Sequence, residues 1–217
     1  MKMFPAPRTL QGKGYIMIYR FSPEFVKSKG RVPEFLQGKF AGGWGSVMLV
    51  DYASSNAGPY GELLFIPGKF HHKERKLNTI SQIYVSSMES VVNGIHNWGI
   101  PKQLAHFNFE DLGGKRERVT VSVDGENVAD LTLSAFGPSF PISTSLMPFP
   151  LVQLHSDQYY YTRFFGKGKG KLARVESIQV NGTLFPDISG VKPIAVIKVE
   201  PFKITFPVAE IEPVRLS

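Results

Sequence analysis

The sequence predicts a mainly β protein with a few short helices, in which an antiparallel sheet closes into a barrel or folds into a double sheet. Many short apolar and aromatic segments alternate with period two, the pattern of half-buried strands. The 21 glycines and 16 prolines divide the chain into short elements and disfavour long helices. The predicted strands are 15–20, 46–52, 63–66, 79–85, 104–110, 118–124, 127–133, 159–165, 173–180, 195–199 and 202–206.

Helical patterning is confined to two segments. Residues 23–29 are predicted to form a short helix with Ser22 as its N-cap, because a serine oxygen can accept a bond from a free N–H of the first turn. Residues 87 to about 96 are predicted to form a second helix, for which Ser86 and Glu89 have the spacing of a capping box. A proline turn then ends this helix, since proline cannot continue it.

The composition indicates a folded protein with one domain over residues 1–217. A hydrophobic fraction of 42% is enough for a core, and a charged fraction of 20% argues against disorder. The chain has no cysteine, which excludes disulfides, thiolate zinc sites and cysteine nucleophiles and fits a reducing cytoplasm. The sequence has neither a signal-peptide pattern nor an apolar run of about 18 residues. We therefore expect a soluble cytoplasmic protein without a membrane partner.

The net charge of +7 favours anionic partners but does not choose among them. The basic segment 167–171 is expected to be a solvated hairpin loop. The alternative, a phosphate-binding loop, lacks the Gly-Lys-Ser/Thr ending and the helix that must follow it. The aromatic residues 159–161 and 164–165 could stack on nucleic-acid bases, but alternation of core and surface positions on strands explains them without a nucleic-acid partner.

The five histidines do not have the spacing of a metal site. His71 and His72 are adjacent, so they would face opposite sides of a strand and could not chelate one ion together. We expect neither a bound metal nor a cofactor.

Lys102 is the residue whose surroundings suggest chemistry. It follows Pro101 directly, and Trp98, Ile100 and Leu104 provide apolar neighbours. One interpretation is a solvated lysine near a helix end, which is the commoner case. The other is a buried nucleophile, because a desolvated ammonium loses its proton more readily and carbonyl addition requires the neutral amine.

Two motifs resemble the acetoacetate decarboxylase family. The segment from Gly94 to Lys102, a glycine followed after six residues by Pro-Lys, is similar to the family's active-site segment. Upstream, residues 58–62 resemble its Gly-x-Tyr-x-Glu element, and the separation between Glu62 and Lys102 matches as well. The resemblance in order and spacing extends more weakly over residues 15–110.

This resemblance implies a mostly antiparallel, cone-like barrel with a few helices and a pocket inside it. It also implies that Lys102 forms a Schiff base with a small keto acid, without a cofactor, in a homo-oligomer. The role of proton shuttle falls on Glu62, for which an ordinary charge at a strand edge is the alternative. The predicted substrate-binding residues are Tyr60, Trp98, His96 and Gln103; a structural, hydrogen-bonded histidine is the alternative for His96.

Several positions depart from the family pattern. The second lysine of the decarboxylases is replaced by Gln103, which leaves Lys102 to depend on burial for a lowered pKa. The family's arginine–glutamate pair ahead of the proline is replaced by residues 95–96. Its substrate-facing arginine and second glutamate would fall near Gly12 and Val47, and Arg20 is the nearest cation, out of register. These departures put decarboxylation of acetoacetate in doubt more than imine chemistry in general.

Three hypotheses follow from the sequence. The first is a Schiff-base lyase that acts on a small 2-oxo or 3-oxo acid by decarboxylation, aldol or dehydration chemistry. The second is a non-catalytic protein that keeps the barrel and binds a small molecule in the pocket. The third is polyanion binding through the basic segments, which would weaken steeply as salt increases.

Overall fold

Two β-sheets form most of the protein in the computed structural model, which describes residues 3–55, 58–145 and 148–214. The helices are α1 (Pro23–Lys29) and α2 (Met88–Trp98), with a 3₁₀ turn at Glu34–Leu36. The strands are β1 (Arg8–Tyr19), β2 (Phe40–Gly42), β3 (Gly45–Ser54), β4 (Tyr60–Ile66), β5 (Lys69–His72), β6 (Arg75–Asn78), β7 (Gln82–Val85), β8 (Gln103–Leu104), β9 (His106–Gly113), β10 (Arg116–Val123), β11 (Glu126–Ser143), β12 (Leu151–His155), β13 (Gln158–Thr162), β14 (Phe165–Val180), β15 (Ala195–Phe206) and β16 (Glu210–Pro213).

The larger sheet has ten strands in the order β8-β7-β4-β3-β1-β15-β14-β11-β10-β9, and the smaller has six in the order β16-β13-β12-β6-β5-β2. Neighbours are antiparallel except for the pairs β7–β8 and β6–β12. The two edge strands of the larger sheet, β8 and β9, are separated in the chain by Ala105 alone. The sheet therefore curls into a half-barrel whose two edges meet at this residue. The predicted mainly β class is confirmed, with a half-barrel in place of a closed barrel.

Side-chain alternation along β4 divides the interior into two regions. Leu63 and Phe65 point into the main core, where neither side chain is accessible to solvent. Tyr60, Glu62 and Leu64 point to the opposite face of the strand, toward α2. Because both faces of β4 are covered, a carboxylate on this strand lies in an apolar environment.

Helix α2 begins one residue later than its predicted capping box. Ser87 is the N-cap, and its Oγ accepts a hydrogen bond from the N–H of Ser90. The predicted cap, Ser86, instead accepts a bond from the N–H of Gly61 at 2.8 Å, which ties the start of the helix to β4. The helix ends at Gly99, whose φ of 62° is the left-handed conformation that favours glycine.

Two further expectations are corrected by the strand pairing. The basic segment 167–171 is not a hairpin loop but part of β14, which pairs with β11 and β15. Its alternation of lysine and glycine has the period of a strand, so that lysines 167 and 169 project into solvent. The predicted strand 104–110 is interrupted at Ala105, whose N–H donates to the carbonyl of Val85 as the chain passes between sheet edges.

In the described part of the chain, no helix has the length and apolar character needed to cross a membrane.

Replacement of Ser87 by alanine tests the cap of α2. The change leaves an N–H of the first turn without its partner, so we expect the free energy of unfolding to fall by about 1 kcal/mol. For a chain of this size that corresponds to a decrease in Tm of roughly 2–4 °C, measurable by calorimetry. Ser28→Ala is the matched control, because Ser28 lies on the exposed side of α1 and donates only to a carbonyl of its own helix. Equal Tm values for the two variants would contradict the assignment of the cap.

Candidate active site

Lys102 and Glu62 form a buried ion pair. Lys102 Nζ lies 2.8 Å from Glu62 Oε2, and the two side chains are only 8% and 5% exposed. Two opposite charges at this distance attract strongly when water is excluded, but both lose hydration on burial. The structure therefore places the amine and the carboxylate of the two sequence motifs in direct contact.

The turn after α2 determines where Lys102 lies. The N–H of Gly99 donates to the carbonyl of Ile95, and that of Ile100 donates to the carbonyl of Gly94. The chain thus reverses at Gly99, and the side chain of Lys102 runs back across the helix at Gly94. A Cβ atom at position 94 would lie 2.6 Å from Cδ of Lys102, so glycine is what allows this passage.

Three polar groups surround the ion pair. Lys102 Nζ donates to Oγ of Ser90 at 3.1 Å and lies 5.3 Å from the ring centre of Tyr60. The hydroxyl of Tyr52 donates to the second carboxylate oxygen of Glu62 at 3.2 Å. Each charged group therefore has a partner besides the other, and the position of the amine is well defined.

The charges around Lys102 keep its amine protonated. Burial lowers the pKa of Lys102, and the charge of Arg8 acts in the same direction, but the charge of Glu62 and its hydrogen bond to the amine raise it. The net effect is a pKa above the ordinary lysine value. Burial acts in the direction that the sequence predicts, and the carboxylate in contact acts against it. Burial also raises the pKa of Tyr52 and that of Tyr60, so both phenols are neutral.

A small cavity of about 30 Å³ lies beside the ion pair. This volume is enough for one or two water molecules, so a keto acid requires some lining side chains to move. The charged residues of the lining are Arg8, Glu62 and Lys102. Most of the remaining surface is apolar, with contributions from Leu10, Leu64, Ile83, Trp98, Ile100 and Phe206.

Four of the six predicted site residues meet at this cavity: Lys102, Glu62, Tyr60 and Trp98. The other two do not. Gln103 is the first residue of β8, and both residues of this short strand are exposed. His96 is exposed on the outer side of α2, beside His155 in a separate surface groove. Neither side chain contacts the ion pair, so their prediction as pocket residues is not supported by this geometry.

Three residues of the site were not indicated by the sequence motifs: Arg8, Tyr52 and Ser90. Ser90 could have been found from helical spacing, since residues 90, 94 and 98 share one face of α2. Arg8 could have been found only if the predicted strand 15–20 had been extended by seven residues toward the N-terminus. Residues 8 and 10 then fall on one face of the strand. Arg20, the cation nearest to the family position, is exposed.

Among residues 3–55, 58–145 and 148–214, no group of three or more histidine, aspartate and glutamate side chains is placed to hold a metal ion.

Comparisons with known proteins agree with the fold and with the family resemblance. The profile of the acetoacetate decarboxylase family matches residues 1–177. No curated protein matches by sequence. The fold is similar to that of acetoacetate decarboxylase from Legionella pneumophila subsp. pneumophila str. Philadelphia 1, with a TM-score of 0.72 and 13% identity over 96% of this chain and 88% of that chain.

A second similar structure is the enduracididine biosynthesis enzyme MppR. With HEPES buffer bound, it superposes with a TM-score of 0.68 and 14% identity over 99% of this chain and 90% of that chain. In complex with the condensation product of pyruvate and imidazole 4-carboxaldehyde, the TM-score is 0.61 with 14% identity, over 98% of this chain and 90% of that chain. At such identities these likenesses describe the fold.

Replacement of Gly94 by alanine tests the path of Lys102. The new methyl group would overlap the Lys102 side chain, so we expect the amine to leave its contact with Glu62 while the helix is retained. The rate at which Lys102 reacts with a carbonyl reagent, measured by peptide mass spectrometry, should fall by about tenfold or more. A tenfold change in rate corresponds to about 1.4 kcal/mol.

Gly190→Ala is the matched control, because nothing lies within 4 Å of a Cβ at that position and its φ is not in the left-handed range. Equal modification of Lys102 in both variants would contradict the described path.

Proposed function

Because the chain belongs to the acetoacetate decarboxylase family, we propose that it is a lyase that forms a Schiff base between Lys102 and a small 2-oxo or 3-oxo acid. The observation that carries this proposal is the contact between a buried amine and a buried carboxylate beside an apolar cavity. A buried titratable group with a specific charge partner beside a cleft is typical of catalytic sites. The structural neighbours support the substrate class, since one is an acetoacetate decarboxylase and another holds a product made from pyruvate.

Glu62 is assigned the first proton transfer. It lies close enough to accept a proton from the Lys102 ammonium, which leaves the neutral amine that addition requires. The amine adds to the ketone carbon of the substrate to give a carbinolamine. The carboxylic acid of Glu62 then returns its proton to the carbinolamine hydroxyl, which departs as water and leaves the iminium.

The iminium accepts the electron pair of the bond that breaks next. In a 3-oxo acid, the bond to the carboxylate breaks, carbon dioxide leaves and the pair forms an enamine. In a 2-oxo acid, Glu62 removes a proton from the adjacent carbon, and the enamine formed adds to an aldehyde. Protonation or addition at the enamine carbon followed by hydrolysis of the imine regenerates Lys102.

The surrounding residues would position and desolvate these steps. Ser90 accepts a bond from the amine, which fixes its direction. Tyr60 and Trp98 cover the site from solvent, and their buried rings would lie beside the bound ketone. Tyr52 donates to Glu62 and so holds the oxygen that does not contact the lysine.

A non-catalytic ligand-binding protein is the second candidate function. It is favoured by the raised pKa of Lys102, since an amine that stays protonated does not add to a ketone. In that case the cavity would bind a small anion through charge alone, without a covalent bond.

Trapping with a reductant distinguishes the two functions. We expect borohydride in the presence of pyruvate or acetoacetate to leave a permanent adduct on Lys102, because reduction converts the imine to a stable secondary amine. Peptide mass spectrometry locates the adduct. It should be absent from Lys102→Ala and unchanged in Lys76→Ala, whose lysine is exposed on β6. Folded wild-type protein that gives no adduct with any oxo acid would favour the ligand-binding function.

The pH dependence of trapping tests the link between Glu62 and the amine. The neutral amine is populated above the pKa of Lys102, which the Glu62 charge raises. Glu62→Gln removes that charge, so the midpoint of the pH profile should move to lower pH by about 1–3 units. The maximal rate should fall as well, because the proton shuttle is lost.

Gln103→Lys is the control for this shift. It adds a lysine next in the chain on the exposed side of β8, so its midpoint should stay at the wild-type pH. A Glu62→Gln midpoint equal to that of wild type would contradict the coupling between the two groups.

A further inference from the structure

Arg8 is a buried cation to which the proposed reaction gives no role. It is the first residue of β1, is only 4% exposed and lines the same cavity as Lys102 and Glu62. Within the described residues, neither Nε nor Nη2 of its guanidinium has a hydrogen-bond partner. Two nitrogens of a charged group beside the site are therefore buried without a partner.

The surroundings of Arg8 do not offset this burial. The guanidinium carbon lies 5.8 Å from the ring centre of Phe4, a contact with an aromatic face that leaves the N–H groups unbonded. Burial lowers the pKa of Arg8, with Tyr60 acting weakly in the opposite direction. Burial of a charge without hydrogen bonds is unfavourable, and an anionic ligand would offset this cost.

The two unbonded nitrogens are those of the guanidinium edge that binds carboxylates in a bidentate way. The same protein uses this edge elsewhere: Arg118 donates from Nε and Nη2 to both oxygens of Asp130, at 3.0 and 2.6 Å. At Arg8 the corresponding edge has no partner among the described residues. Its geometry is suited to two oxygens of one carboxylate.

The charge of the cavity agrees with such a ligand. Its charged lining residues are Arg8, Lys102 and Glu62, which leaves one positive charge in excess. Lys102 already pairs with Glu62, whereas the described residues offer Arg8 no carboxylate. One monovalent anion would therefore neutralise the site.

We propose that Arg8 binds the carboxylate of the substrate while Lys102 reacts with its ketone. The assignment to Lys102 rests on the proposed function, and the assignment to Arg8 rests on its own geometry. The position differs from that of the family's substrate-facing arginine, which falls near Gly12 by sequence. The position near Gly12 has no charged side chain of the family type, and Arg8 would supply that charge from the start of β1.

Binding of propionate tests the contact without any imine chemistry, since propionate has a carboxylate but no ketone. Propionamide is its uncharged counterpart. We would measure both by titration calorimetry on wild type, Arg8→Met and Arg20→Met. The last is the matched control, because it removes the same charge from an exposed position of the same region. We expect propionate to bind wild type and Arg20→Met, and to bind Arg8→Met about 10- to 100-fold more weakly.

Trapping with pyruvate and with acetone then relates the contact to the reaction. Arg8→Met should lose trapping of pyruvate at low concentration but keep trapping of acetone, which has no carboxylate.

Loss of propionate binding in Arg8→Met without trapping of any ketone by wild type would support the role of Arg8 and contradict the Schiff base. If Arg8→Met does not fold, propionate and propionamide are compared on wild type alone. Stronger binding of propionate would then support the proposal. Equal binding of the two by wild type, or of propionate by wild type and Arg8→Met, would overturn the proposal.

Discussion

The buried ion pair between Lys102 and Glu62 is the interaction on which the rest of the site depends. Burial of two charges costs free energy that their attraction only partly returns, so such a pair is poorly explained by stability alone. Here the carboxylate is fixed on β4, a strand covered on both faces, and the amine is fixed by the turn after α2. Under the proposed function, the same pair holds the proton that must be moved before the amine can react.

The resemblance of two local motifs indicated Lys102 and Glu62 as site residues, but their contact as an ion pair was seen only in the structure. Residues 58–62 form the start of β4, and the Pro-Lys segment follows α2, so each motif is one continuous element whose side chains have fixed directions. Period-two alternation then accounts for Tyr60 and Glu62 on one face, with Leu63 on the other. The mainly β class followed from the same alternation, because most strands are half-buried.

The remaining features depend on contacts between distant parts of the chain. Arg8 reaches the cavity because β1 pairs with β3 and β15, and no pattern within residues 5–10 specifies that register. Gln103 and His96 are near Lys102 in sequence but point away from it, since proximity in the chain does not set direction. The direction of the Lys102 pKa also required the structure, because the carboxylate that raises it lies on another strand.

A crystal structure of protein reduced with borohydride in the presence of pyruvate would test the central claim most directly. The account predicts continuous density from Lys102 Nζ to the central carbon of the ligand, with Glu62 still adjacent. It also predicts that the ligand carboxylate lies within hydrogen-bond distance of Arg8 Nε and Nη2. A ligand that is separate from Lys102, with the Lys102–Glu62 contact of 2.8 Å intact, would contradict the claim.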